Sequence, residues 1–339
     1  MKRFATTAEN EPGKGILVCQ CYHDQSKFER IHAQYPLKFI PTTGHAERLA
    51  VVYMLSYGGG VISGDTFDID MTVKENAILL LMTQGSTKIF KDREHQRQWL
   101  ASLSAQQPKF QFSDLIPNAI TNLWKEPAIV QPSVQIIQSV VDPKAVLLVL
   151  PDPVTCFRDS SFQSRQKFHL KDQSSQLVLL DWFTSGRLAR GENWSFRHYS
   201  SRIDIHVGSR LVIKDAMVLE DEAFMRKEQN ETAYADRLKP YTCFATLIII
   251  ASDTDGSLKT SVDALQKKTE AMRLMPLNLK SKEDRQVLWS VSPVLKGRGV
   301  LVRIAGMTTE QVRDFVKYEC LGQGLEQIVG EGMFKKVLM

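Results

Sequence analysis

Cysteine and histidine side chains, the softest metal ligands in the sequence, lie close together at residues 19–23 (CQCYH). Cys19, Cys21 and His23 would share one face of a strand, because side chains repeat every two residues. Thiolate and imidazole groups together would suit nickel or zinc. The apolar run 16–18 instead favours a buried strand whose cysteines fill the core. Metal binding here is therefore a hypothesis that stands beside a structural role.

A second candidate for chemistry is a phosphate-binding loop, because the strand-like run 77–82 leads into 85–88 (GSTK). Such a loop needs glycine followed directly by lysine and then serine or threonine, with another glycine five positions before the first. Lys88 follows the hydroxyl pair instead, and Leu80 stands five positions before Gly85. The spacing argues against a nucleotide-binding enzyme.

Three consecutive glycines, Gly58, Gly59 and Gly60, precede Ser63 and Asp65. Glycine permits a positive φ and a close approach of backbones. Serine and aspartate side chains commonly hydrogen-bond to the backbone of their own turn. We therefore predict a tight turn between strands, in which Asp65 is the capping carboxylate and the residue to test for function.

Charged residues stand among large aromatic residues in the segment 179–194 (LLDWFTSGRLARGENW). An unpaired buried ion is costly, so charged groups in such surroundings are usually paired. One interpretation is an arginine–carboxylate network that orders the loop. The other is a surface for binding or passage that presents carboxylates, and the two are compatible. The charged residues are Asp181, Arg187, Arg190 and Glu192.

Several function classes find no support in the composition. The 43 Lys and Arg against 38 Asp and Glu give a net charge of +5, and no run of five basic residues indicates nucleic-acid binding. No Gly-x-Ser-x-Gly nucleophile elbow occurs, so an enzyme is not indicated. The first residues lack the apolar core of a secretory signal, and no apolar run is long enough to span a membrane. The five cysteines are expected to be reduced thiols in the cytoplasm.

Strands dominate the hydrophobic pattern. Residues 68–73 and 202–207 alternate polar and apolar side chains, which predicts strands with one buried face. Uniformly apolar runs predict strands covered on both faces. This repetition favours an all-β fold of layered sheets over a doubly wound α/β fold. The uniformly apolar runs are 77–82, 146–150, 177–180, 247–250 and 300–304.

Helices are predicted at three places around these strands. Residues 308–311 (TTEQ) resemble a capping box, and Gly322 is the expected end of that helix. The other two helices are predicted at 258–275 and 221–238. In the segment 91–131, where a further helix is predicted near 94–105, the apolar residues show no sustained periodicity. We read it as an insertion in a single domain that spans residues 1–339.

Several segments, taken in order, resemble the UreD family (also called UreH) of urease accessory proteins. The resemblance covers roughly residues 15–90 and 132–335. The extra length of 91–131 indicates a eukaryotic member. The matching segments are 35–38 (YPLK), 58–67 (GGGVISGDTF), 82–91 (MTQGSTKIFK), 150–157 (LPDPVTCF), 179–194, 201–216 and 297–306 (GRGVLVRIAG).

The resemblance implies a mainly β fold of two stacked sheets with a helical strand order and two or three peripheral helices. It implies a non-enzymatic urease maturation factor that binds apo-urease, UreF and the nickel-carrying GTPase UreG, with no nucleic acid or membrane. Nickel would be a transient cargo that crosses an internal passage, and no cofactor would be tightly bound. A β-rich ligand-binding or interaction protein outside urease maturation is the alternative. The residues implied for binding or passage are Gly58, Gly59, Gly60, Ser63, Asp65, Gln84, Lys88, Asp181, Arg187 and Glu192.

Overall fold

The computed structural model describes residues 10–44, 46–91, 132–220, 233–253, 256–274 and 286–339. These residues form two β-sheets and a set of helices that cover one of the sheets. In chain order the strands are β1 (Lys14–Tyr22), β2 (Gln25–Ala33), β3 (Leu37–Thr42), β4 (Leu49–Ser56), β5 (Thr66–Val73), β6 (Ile78–Thr83), β7 (Thr87–Ile89), β8 (Ser133–Val141), β9 (Val146–Val149), β10 (Val154–Cys156), β11 (Ser161–Leu170), β12 (Gln176–Thr184), β13 (His198–Val207), β14 (Arg210–Glu220), β15 (Cys243–Ile250), β16 (Val287–Val294) and β17 (Gly299–Gly306).

The chain winds as a coil between the two sheets. The seven-stranded sheet has the order β14-β13-β11-β8-β5-β1-β2, and the path of the ten-stranded sheet is β16-β17-β15-β12-β9-β6-β4-β3, with β7 and β10 attached beside it. Strands β5, β8, β11 and β13 are parallel to one another, as are β4, β6, β9 and β12. Each return to a parallel neighbour passes through a strand of the other sheet. The predicted two-layer, mainly β fold with a helical strand order is confirmed.

Burial of the strands follows their position between layers. Strand β6 is buried at every residue, because one face meets the other sheet and the opposite face meets helices. Strand β5 alternates buried and half-buried residues, because only one of its faces meets the core between the sheets. Both patterns match the predictions from the sequence. The fold thus has two apolar cores, one between the sheets and one between the larger sheet and the helices. At about 25 cal/mol per Å² of buried apolar surface, these two cores dominate the stabilisation of the fold.

The helices lie at α1 (Ala233–Leu238), α2 (Ser257–Leu274), α3 (Thr309–Asp314), a π-helix (Phe315–Leu321), α4 (Gly322–Val329) and α5 (Glu331–Lys336). Thr308 forms the predicted capping box with Gln311 at the start of α3. Gly322 ends this helix as predicted: with a φ of 39° it caps the π-helix that continues α3, and the separate helix α4 begins there. Residues 94–105, and the first part of 221–238, lie outside the described residues. Among the described helices, none is both long and apolar enough to cross a membrane.

Candidate functional site

Four segments that are distant in sequence meet at one end of the sheets. Strand β7 pairs with β10, and β10 pairs with the end of β12. The glycine turn joins them, because the Val61 N–H donates to the Lys88 carbonyl over 2.8 Å and the Phe90 N–H donates to the Val61 carbonyl over 3.0 Å. We call the surface formed by residues 57–65, 84–91, 152–158 and 185–192 the motif surface.

The glycine turn uses its three glycines in two different ways. Gly58 and Gly59 have φ values of 81° and 75°, and a Cβ on either would meet nothing within 4 Å. Gly60 has an extended backbone, but its Cβ would lie 2.5 Å from both the Lys88 carbonyl oxygen and the Phe90 ring. Two glycines therefore supply backbone freedom, and the third permits close packing.

Asp65 closes the same turn. Its Oδ2 accepts a hydrogen bond from the Ile62 N–H over 3.1 Å, and the Ser133 hydroxyl donates to the Ile62 carbonyl over 3.0 Å. The predicted capping role of Asp65 is confirmed. Ser63 lies half-buried in the turn, and Lys88 is exposed on β7.

Asp152 holds the Gln84–Gly85 turn and was not predicted. Its Oδ2 accepts from the Gly85 N–H over 2.8 Å and from the Thr83 hydroxyl over 3.2 Å. Burial raises the pKa of Asp152, and these two hydrogen bonds oppose the rise. The signal in the sequence is an aspartate between two prolines directly after a buried strand. Strand β7, rather than a helix, follows Gly85, so the geometry of a phosphate loop is not formed.

Arg187 and Glu192 form the predicted arginine–carboxylate network. The Arg187 Nε donates to Glu192 Oε2 over 2.8 Å, and its Nη2 pairs with Oε1. The Arg158 N–H also donates to Oε2, over 3.3 Å. The Arg187 guanidinium carbon stands 3.9 Å from the centre of the Phe157 ring. The hydrogen bond from Arg187 lowers the pKa of Glu192, although burial of this 7% exposed residue opposes the shift.

We expect Glu192→Gln to destabilise the protein by about 2 kcal/mol at neutral pH, because it removes a charge-assisted pair at a buried position. The lowered pKa of Glu192 means that its stabilisation is present above the unfolded-state pKa near 4.5 and is lost as the pH falls through the folded-state value. Urea unfolding at pH 7 and pH 3 tests this. The gap between wild type and variant should narrow at pH 3, and a gap of equal size at both pH values would contradict the ion-pair account. Glu331→Gln, in an exposed pair with Lys335, is the control expected to show a much smaller change.

Asp181 lies away from Glu192, in the space between the two sheets. Its Oδ2 accepts from the Ser201 hydroxyl over 2.5 Å, and its Oδ1 accepts from the Gln166 amide over 3.2 Å. Asp181 itself is half-buried. Burial raises the pKa of Asp181, with a further rise from nearby Asp215. Tyr199, which is fully buried nearby, has a hydroxyl without a hydrogen-bond partner among the described residues.

Asp181 is one member of a polar row that crosses the sandwich. On β12, β15 and β17 the strand register places Asp181 beside Thr246, and Thr246 beside Arg303. The Arg303 Nη1 donates to the Thr246 hydroxyl over 3.2 Å, and its Nη2 pairs with Asp215 on β14 of the opposite sheet. Arg303 is 40% exposed, so this end of the row reaches solvent. The polar row consists of Gln166, Asp181, Ser201, Asp215, Thr246 and Arg303.

The three soft ligands of the N-terminal hairpin are not brought together. Cys19 and Cys21 lie on β1, which ends at Tyr22, and Cys19 faces the core between the sheets. His23 lies in the two-residue turn that follows, with a φ of 49°. The prediction that His23 continues the strand was wrong, because His23 and Asp24 both take the positive φ of a tight hairpin turn. Among the described residues, no group of three or more His, Cys, Asp or Glu is placed to hold a metal ion.

Comparison with known proteins supports the family resemblance that the sequence motifs indicate. The family model for the UreD urease accessory protein matches residues 11–323. Urease accessory protein 4 of Cryptococcus neoformans is 29% identical over 337 residues, which are 96% of this chain and 95% of the relative. Urease accessory protein D of Arabidopsis thaliana is 27% identical, with 94% and 99% coverage, and UreD of Sorangium cellulosum is 28% identical, with 90% and 78% coverage. The chain belongs to the UreD family of urease accessory proteins.

Proposed function

We propose that this chain is a non-enzymatic scaffold in urease maturation. In this role it binds apo-urease together with UreF and UreG, and it gives nickel a path into the enzyme. Nickel is its cargo rather than a resident cofactor. Residues 1–339 act as one domain in this proposal, and the insertion at 91–131 lies almost wholly outside the described residues.

The observation that carries the passage is the polar row between the sheets. A divalent ion crosses a protein when successive oxygen ligands bind it weakly enough to release it. Carboxylate, hydroxyl and amide oxygens of Asp181, Ser201 and Gln166 stand together between the sheets, in a layer that is otherwise largely apolar. Asp215 adds a second carboxylate at the solvent end, where Arg303 balances its charge.

The raised pKa of the buried thiols and the structural hydrogen bonds of the carboxylates support a role without catalysis. Burial raises the pKa of Cys156 and Cys243 to about 12, so neither thiol is a ready nucleophile near neutral pH. The carboxylates of the motif surface serve structure, since Asp65 and Asp152 cap turns and Glu192 pairs with Arg187. The candidates Asp65 and Glu192 are thus better explained as supports of the motif surface than as ligands of a moving ion.

Deleting the gene tests the maturation role. In the source organism, or in a host that carries its urease genes, the deletion strain should contain urease protein without urease activity. A plasmid copy of the wild-type gene should restore the activity. Full urease activity in the deletion strain would contradict a role in maturation.

A further inference from the structure

Large apolar side chains are exposed on the motif surface and beside it. On it, Tyr57, Ile62 and Leu188 are 47%, 44% and 52% exposed, and Tyr35, which lies beside it, is 70% exposed. The Tyr35 and Tyr57 rings lie 5.6 Å apart, and the Lys38 ammonium stands 5.5 Å from the centre of the Tyr57 ring. Single exposed apolar residues are ordinary, but a set of them on one surface marks an interaction site.

A rigid layer supports these exposed side chains. The Phe90 ring packs edge-on against Phe157 at 5.3 Å, and the Arg187 guanidinium, held by Glu192, stands 3.9 Å from the centre of the Phe157 ring. Gly60 lets the Phe90 ring lie directly against the glycine turn. Because these contacts fix the surface before a partner arrives, little ordering free energy is lost on binding.

Glycines leave bare backbone on the same surface. Gly58, Gly59, Gly85 and Gly191 have positive φ values, and a Cβ on any of them would meet nothing within 4 Å. The backbone at these glycines is therefore open to close approach by another chain.

The charge of the motif surface is positive. Lys88, Lys91 and Arg190 are exposed, and Lys38 adds a fourth cation beside Tyr57. The carboxylates of the same segments are already engaged: Asp65 by the Ile62 N–H, Asp152 by Gly85 and Thr83, and Glu192 by Arg187. A partner surface with the opposite charge would complement this one and would speed the encounter.

We propose that the motif surface docks a protein whose surface carries aspartate and glutamate around an apolar centre. Ile62 and Leu188 are aliphatic and offer no stacking face to a nucleic-acid base, and beside the exposed tyrosines they suit the apolar centre of a protein interface. The pairing of Arg187 with Glu192 also withholds the planar guanidinium from phosphate. The proposal rests on the scaffold function above and assigns one of its binding surfaces.

Binding measurements on the full chain test this surface. The variants are Leu188→Glu and Lys88→Glu, and the matched controls are Leu211→Glu, 44% exposed at the far end of β14, and Lys27→Glu on β2. The probes are the purified UreF homologue, purified apo-urease and a labelled single-stranded RNA. Leu188→Glu should weaken binding of at least one of the two proteins by about tenfold or more. Lys88→Glu should weaken the same binding and reduce its salt dependence, while both controls bind as the wild type does.

Three outcomes would overturn the docking surface. Both proteins could bind Leu188→Glu and Lys88→Glu with wild-type affinity, the wild-type chain could bind neither protein, or the two variants could impair RNA binding alone. The maturation role is judged separately from urease activity in the deletion strain. The two proposals can therefore fail independently.

Discussion

Replacing Asp181 with asparagine is expected to lower the nickel content of urease by about tenfold or more, on the scale by which changes around metal ligands lower metal affinity or activity. Asparagine nearly matches aspartate in shape and can still accept the hydrogen bond that the Ser201 hydroxyl donates over 2.5 Å. The substitution therefore removes the negative charge of Asp181 and keeps the size and shape of its side chain. Nickel is measured by elemental analysis of urease purified from the deletion strain that carries each variant.

The same variant should be as stable as the wild type at neutral pH, or more stable. Burial raises the pKa of Asp181, so its ionised form lowers the stability of the wild type at neutral pH. The wild type regains this stability as the pH falls through the raised pKa, because the carboxylate becomes protonated. Urea unfolding should therefore show any advantage of Asp181→Asn shrinking on acidification. Loss of nickel loading without loss of stability separates a passage role from a structural one.

Asp263→Asn provides the control for this experiment, because Asp263 lies 56% exposed on α2 and pairs only with Lys259 among the described residues. It should leave the nickel content unchanged. Full nickel loading by Asp181→Asn, with the complex of accessory proteins intact, would remove Asp181 from the passage.

Replacing Trp194 with alanine is expected to cost roughly 3–5 kcal/mol of unfolding free energy. Trp194 is fully buried, its ring lies 5.6 Å from Phe244 and 6.0 Å from Phe183, and its indole N–H donates to the Tyr241 carbonyl over 3.2 Å. Its backbone N–H also donates to the Ser185 carbonyl over 2.7 Å, which closes the loop that contains Glu192. The variant should thus lose stability and disturb the motif surface together.

Urea unfolding followed by circular dichroism measures this cost. Tyr22→Ala removes an aromatic side chain that is 67% exposed and should change the unfolding free energy by less than about 0.5 kcal/mol. A similarly small change for Trp194→Ala would contradict the view that the aromatic cluster anchors the 185–194 loop.

The strands with an apolar face were predictable from the sequence, because their pattern records which sides are buried. Residues 68–73 and 202–207 alternate as half-buried strands do, and 77–82 is uniformly apolar because both of its faces are covered. Strand β11 was not predicted. Its centre, 163–167 (QSRQK), is polar on both faces, because Ser164 and Gln166 point into the polar row rather than into an apolar core.

The candidate site was only partly predictable for a related reason. Asp181 and Glu192 could be found because each stands among large aromatic residues in one continuous segment. Their partners could not be found in the same way, since pairing depends on the register between distant strands. Arg303 and Asp215 are 88 residues apart in sequence and meet only because β17 and β14 face each other across the sandwich. Asp152 likewise gains its role from a turn 67 residues away.

The nickel content of urease purified from the deletion strain, with and without a plasmid copy of the wild-type gene, tests the central claim most directly. A scaffold that guides nickel into urease predicts normal amounts of urease protein in both strains. It also predicts nearly empty metal sites without the gene and full nickel occupancy with it. Urease that carries its full nickel content in the absence of this chain would contradict the account.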